Sequence, residues 1–237
     1  MNTRSSGLRA LTTVVVFGFA GAASAAPLPP ASTNLVLNGS FETTTLSNKG
    51  SFQNNVANWT GGANLTYLDY PGTADNGTYL SVYGPFPVTS KDGGNFVEAD
   101  GDPKYSSAIS QTISGLQVGQ SYDLRFEQAA GQQQGFSGAT TERWQVSFGP
   151  GPSQLSTKFS LPQGGVGPWQ NQSMTFIASL TTQVLSFLAV GTPGGAPPIS
   201  FLDGVSLTIP EPASMALLGA GLAGVGFIRM RRQVPQA

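Results

Sequence analysis

Three acids stand two apart in Glu98-Ala99-Asp100-Gly101-Asp102, with Lys104 and Tyr105 just beyond. On a strand, side chains alternate with period two, so Glu98, Asp100 and Asp102 would fall on one face. Three like charges so placed repel unless a cation or a donor sits among them. One chemistry for the cluster is a cation site. Another is a glycosidase acid pair, which needs carboxyls roughly 5–9.5 Å apart across a cleft. The third reading involves no chemistry: a solvated loop leaving a strand, its charge partly neutralised by Lys104. Tyr and Trp rings offer apolar faces to sugar C–H bonds, with polar side chains at the edge. Glu98, Asp100, Asp102, Tyr105 and Trp169 are therefore the candidate sugar-binding set. Tyr105 is the best placed of them, beside the acids and a flexible loop expected over 131–135. Trp59 and Trp144 read as core, Trp144 because it alternates cleanly with Val146 and Phe148.

Other chemistry is removed by composition. The 237 residues include neither Cys nor His. That excludes disulfides, thiolate and imidazole metal sites, and every catalytic triad built on His. Any catalysis would run on carboxylates, Lys or Tyr, and no catalytic residue is assigned. Charged residues are 10% of the chain, against about 25% in ordinary domains. The net charge of −1 hides an asymmetry. Five of the eleven basic residues (Arg4, Arg9, Arg229, Arg231, Arg232) lie in the two end segments, leaving six against twelve acids between them. With no basic patch, nucleic acid is not an expected partner.

The elements that would position these residues are short strands. From Asn34 onward, alternating runs are separated by Gly, Asn and Pro, the pattern of an all-β sandwich. Strands are expected near 34–37, 56–59, 63–68, 78–83, 94–98, 107–113, 121–129, 142–149, 155–160, 168–178, 183–190 and 199–208. Leu124, Phe126 and Gln128 alternate with Arg125 and Glu127. The run around Val184–Val190 is apolar at both parities and is expected to be buried on both faces. With 31 Gly and 17 Pro the chain is rich in turns, while 10% aromatics suffice for a core.

The domain opens on Asn34-Leu35-Val36-Leu37-Asn38-Gly39-Ser40-Phe41-Glu42 and closes on Leu202-Asp203-Gly204-Val205-Ser206-Leu207. Between them stand Asn95-Phe96-Val97-Glu98, Ile109-Ser110-Gln111-Thr112-Ile113 and Gly119-Gln120-Ser121-Tyr122-Asp123-Leu124-Arg125-Phe126. In order and spacing these resemble the galactose-binding-like jelly roll of many carbohydrate-binding modules. The resemblance implies a jelly-roll β-sandwich over 34–208 and a structural Ca²⁺ where the first and last strands meet. Its ligands would be Glu42 and Asp203, with a carbonyl oxygen from Asn38, hard oxygen donors suited to Ca²⁺. The family commonly has a second acid where this chain has Gly204. The alternative is that Glu42 and Asp203 only accept hydrogen bonds from turn amides.

Both ends read as export machinery. Arg4 and Arg9 precede the apolar stretch Ala10–Ala23, and Ala23-Ser24-Ala25 supplies small residues for cleavage, so 1–25 is expected to be a helical signal peptide and 26–33 a linker. At the far end, Pro210-Glu211-Pro212 is held extended by its prolines. The uncharged run 213–228 follows, then Arg229, Arg231 and Arg232. Sixteen residues span about 24 Å as a helix, just short of a bilayer core. The arginines should remain cytoplasmic. This arrangement over 210–232 resembles the PEP-CTERM sorting signal of Gram-negative bacteria. The resemblance implies recognition by an exosortase, removal of a transient transmembrane helix within 209–237, and an envelope or exopolysaccharide setting. The expected protein is thus an exported, non-catalytic envelope or matrix protein that binds extracellular polysaccharide. Its alternatives are a carboxylate-driven glycan hydrolase and a purely structural matrix protein.

Overall fold

The structure, a computed structural model, describes residues 33–45, 50–77 and 79–210. The expected signal peptide 1–25, most of the 26–33 linker, Glu211, Pro212, the 213–228 run and the three arginines lie outside those residues. Among the described residues there is no helix and there are twelve strands. They are β1 (Gly50–Ser51), β2 (Thr60–Gly61), β3 (Thr66–Asp69), β4 (Phe96–Asp100), β5 (Ile109–Ser114) and β6 (Ser121–Gln132). Then come β7 (Thr140–Phe148), β8 (Gln154–Leu155), β9 (Phe159–Leu161), β10 (Val166–Ile177), β11 (Thr182–Thr192) and β12 (Pro198–Thr208). One sheet runs β1-β3-β4-β12-β6-β10; the other runs β2-β5-β11-β7-β8, with β9 also on β7. The chain is an all-β sandwich, as the alternation predicts.

The core lies between the sheets. From β6 come Tyr122, Leu124 and Phe126, from β7 Trp144, Val146 and Phe148, and from β11 Leu185 and Phe187. Phe187 meets Phe126 edge-on at 5.2 Å and Trp144 at 6.2 Å. Each such ring contributes roughly 1.5–3 kcal/mol by leaving water. The Trp144 indole N–H donates across the sandwich to Phe201 O at 3.0 Å, so its one polar group is satisfied inside.

The closing strand sits in mid-sheet, paired with both β4 and β6. The opening segment runs beside it: Leu35 N–H donates to Leu207 O, and Val205 N–H to Gly39 O, each at 2.9 Å. A Cβ on Gly39 would stand 1.9 Å from Val205 O, so only glycine allows that approach. The expected strand at 34–37 is nevertheless irregular. Asn38 and Phe41 take φ of 52° and 57°, which breaks an extended ladder.

Two further expectations change. The β11 run is buried on one face only: Leu185 and Phe187 are fully buried, but Val184 is 47% exposed, because among the described residues no segment packs over it. Conversely, all five residues of β4 are buried. Residues 70–95 form no strand at 78–83. They cross the outer face of the first sheet as a strap, and Ala74, Leu80, Val82 and Phe86 pack on Phe96, Phe201, Ile199 and Trp169. The strap is fastened by an isolated antiparallel bridge of Val82 with Gln133, Tyr83 N–H donating to Gln132 O at 2.9 Å and Gln134 N–H to Ser81 O at 2.8 Å. Those same bonds, with Gln132 lying inside β6, hold the segment expected as a flexible loop at 131–135.

Candidate functional site

Strand alternation and the strap together fix the acids of the candidate set. Glu98 sits in register between Tyr67 of β3 and Phe201 of β12, pointing outward from the sheet but under the strap. It lies against Asp69, and both are buried. Burial first, then the Asp69 charge and a hydrogen bond shared with it, then Asp100, push the Glu98 carboxyl well above the usual range. Each of these causes favours the protonated form of Glu98 over the charged one. Asp100 is pushed up to about 6, chiefly by burial, while the Asp102 N–H it accepts at 2.8 Å pulls the other way.

Asp102 is in a different state. Its two oxygens accept Lys104 N–H and Gly195 N–H, each at 2.9 Å. These bonds hold its carboxyl below the ordinary range. It ties the β4–β5 turn to the loop before β12. Tyr105 is 37% exposed and stacks under the Lys104 ammonium at 5.2 Å. Trp169 packs edge-on against Phe96 and Phe86 beneath the strap, its indole N–H buried without a partner. Of the two candidate rings, Tyr105 is exposed and Trp169 is half-buried at the strap. Glu98 and Asp100 are fully buried.

The expected calcium residues converge on one loop. Glu42 accepts the Asn95 N–H, and Asp203 accepts the Ser90 hydroxyl and, at 2.8 Å, the Gly204 N–H. Loop 90–95 is thus held by both. Gly94 has φ 71° and passes so close that a Cβ would lie 1.8 Å from a Glu42 oxygen. Asp203 is buried and its carboxyl is pushed up to about 8, by burial first, with Asp92 and Glu127 adding to it. Asn38 is spent elsewhere. Its carboxamide bonds Thr43 at both ends and Ala57 O, and its carbonyl accepts the Trp59 indole N–H at 2.9 Å. Glu42 and Asp203 thus accept hydrogen bonds from the 90–95 loop and from Gly204, the contacts of the alternative reading, and the Asn38 carbonyl is taken by Trp59. Among the described residues no three acids gather as a metal cage, so a cation at Glu42 and Asp203 would draw its other ligands from main-chain or water oxygens.

An open groove lies on the same outer face, beyond the strap. Its volume is about 550 Å³, and Lys91, Asp92, Arg125, Glu127, Asn171, Gln172, Ser173 and Gly204 line it. Arg125 and Glu127 are the outward parity of β6, Asn171 and Ser173 that of β10. A bulge in β12 between Asp203 and Ser206 forms its floor at Gly204. A second hollow of about 370 Å³ continues it across Asp92 and Gly204 to Asn34, Asn38 and Ser40. Glu127 accepts the Lys91 N–H at 2.7 Å, fixing one wall. The Arg125 guanidinium, Asn171 carboxamide and Ser173 hydroxyl remain on an accessible surface.

Of these groove residues, the sequence marks Arg125 and Glu127 alone as the polar half of an alternation. A second unmarked feature is Tyr79, 70% exposed and stacked on Tyr67 at 4.8 Å.

Comparison with known proteins gives three findings. Residues 208–232 match the PEP-CTERM protein-sorting motif, which marks an exported, envelope-directed chain. No curated protein sequence matches. Similar solved structures include TmCBM61 in complex with β-1,4-galactotriose, 17% identical, covering 75% of this chain and 99% of that one at a TM-score of 0.44. They also include the CBM22-1 xylan-binding domain from Paenibacillus barcinonensis, 13% identical, covering 77% and 98% at 0.40. A third is the enzymatically active domain of bacteriophage CBA120 tailspike protein 4, 14% identical, covering 75% and 21% at 0.38.

Proposed function

We propose that this protein is an exported, non-catalytic component of the Gram-negative envelope or its matrix. An exosortase sorts it through its tail, and its sandwich binds extracellular polysaccharide in the groove over the β12 bulge. The observation that carries the binding clause is the groove itself. It is long, open and lined by fork-shaped and amide side chains standing on rigid strands. Such groups satisfy sugar hydroxyls in pairs, and strands hold them without an ordering cost at binding. Two acids, Asp92 and Glu127, also line the groove, and burial first, then the Glu127 charge, raise the Asp92 carboxyl, so turnover is tested alongside binding.

Binding is tested with the intact protein on a glycan array and by affinity electrophoresis in envelope polysaccharide. Arg125→Ala and Asn171→Ala should each weaken retention about tenfold, roughly 1.4 kcal/mol, with melting temperature unchanged. Retention that survives both substitutions, or is lost only with Tyr105→Ala, would move the site away from the groove. Release of reducing ends that disappears in Glu98→Gln or Asp100→Asn would establish the hydrolase reading instead.

A structural Ca²⁺ held by Glu42 and Asp203 belongs to the same proposal. It would supply positive charge beside a buried acid and lock the 90–95 loop that walls the groove.

A further inference from the structure

The chain leaves the sandwich at an end that exposes apolar side chains beside the acid Asp123. Thr208, the last residue of β12, pairs with Asp123 near the start of β6. Next to it Ile177, the last residue of β10, pairs with Ser121. The loops 115–120 and 178–181 are laced together here, Gly119 N–H donating to Ala178 O at 2.7 Å and Leu116 N–H to Thr181 O at 3.0 Å. Leu35, at the domain's entry, donates its N–H to Leu207 O, so the chain also enters at this end. Around the exit Val118 is 64% exposed, Ile177 68%, Leu180 54% and Ile209 41%. Neither loop contains a charged residue, whereas the turn at the opposite end carries Asp102 and Lys104.

Single exposed apolar side chains are ordinary. Four around the exit of a tethered chain have a definite neighbour. From Thr208 to Ala213, where the uncharged run begins, is five residues, at most about 17 Å when extended. A bilayer's headgroup layer takes up about 6 Å of that. With the run in the membrane, this end of the sandwich is held at the lipid surface.

We infer that Val118, Ile177, Leu180 and Ile209 form a membrane-docking face, seated in the bilayer interface while the sorting segment is inserted. Docking fixes the height and orientation at which Pro210-Glu211-Pro212 is presented for processing. The inference rests on the reading of 213–228 as a membrane span. Because the face has no charge, docking is insensitive to salt.

The absence of Cys makes the test direct. The full chain is reconstituted in phosphatidylcholine vesicles with a minority of phosphatidylglycerol and lipid-borne quencher. A single fluorescent label is placed in turn at Val118→Cys, Leu180→Cys, Ser137→Cys at the opposite end, and Ala216→Cys in the tail. Labels at 118 and 180 should be quenched several-fold more than the label at 137, equally at low and high salt. Quenching at 216 with 118 and 180 no different from 137 overturns the docking face. An unquenched 216 overturns the membrane span, and the docking face with it. Quenching at 118 and 180 that appears only in native membranes containing the exosortase assigns the face to that enzyme and overturns lipid docking.

Discussion

Glu142 shows what a single buried acid does to this protein. It stands on β7 at the inward parity shared with Trp144 and Val146, fully buried. Burial pushes its carboxyl from 4.5 up to about 7, with the neighbouring Thr140 side chain opposing the shift. The folded state holds the proton more tightly than the unfolded state does. Its contribution is therefore complete below about pH 4.5 and is lost as pH rises through about 7. At about 1.4 kcal/mol per unit the loss is about 3 kcal/mol by pH 8. Glu142→Gln should flatten the fall in melting temperature between pH 5 and 8, measured by calorimetry; an unchanged slope would assign the fall to other acids. Calcium is tested at the same scale. Millimolar Ca²⁺ should raise the melting temperature of the native chain, since a ligand of the folded state must do so. Glu42→Gln and Asp203→Asn should each abolish that rise.

Among the elements, the strap over 70–95 decides most. It converts β4 from a half-exposed strand into a central one buried on both sides, and it takes Glu98 and Asp100 out of reach of a ligand while covering part of Trp169. Its hold depends on Phe86, which meets Phe201 at 4.3 Å and Trp169 edge-on at 6.3 Å. Phe86→Ala should cost about 3 kcal/mol in chemical unfolding, the usual loss for a buried ring. It should also raise proteolysis within the strap before the sandwich itself opens. Equal protection of strap and sandwich would mean that the strap unfolds only with the whole domain. The strap was hidden in the sequence because Tyr79–Tyr83 has strand-like content. What stops it from becoming a full strand is that its ladder is one antiparallel bridge long, Val82 to Gln133 beyond the end of β6, and that is a tertiary matter.

At the scale of the whole molecule, the domain and its tail divide the work. The tail addresses the protein and the sandwich is delivered. A chain truncated after Thr208 should be secreted but should fail to reach or remain at the envelope location of the intact chain, as read by fractionation. Retention at the same location would separate address from tail. The intact mass of the protein recovered from envelope fractions should show loss of both 1–25 and the segment beyond the sorting motif.

The sequence by itself determined the class of fold, because period-two alternation in β6 and β7 specifies which side chains turn inward whatever the strand order. It also determined the address, since Pro-Glu-Pro, an uncharged run and arginines act locally and in order. Removal of Cys and His chemistry was equally a matter of composition. Tertiary structure alone decided which outward face stays wet. The same alternation put Glu98 and Arg125 on the outer side of one sheet, yet the strap buries Glu98 and stops short of Arg125. Burial of an outward face depends on segments distant in sequence that fold back over it, and no local period records that.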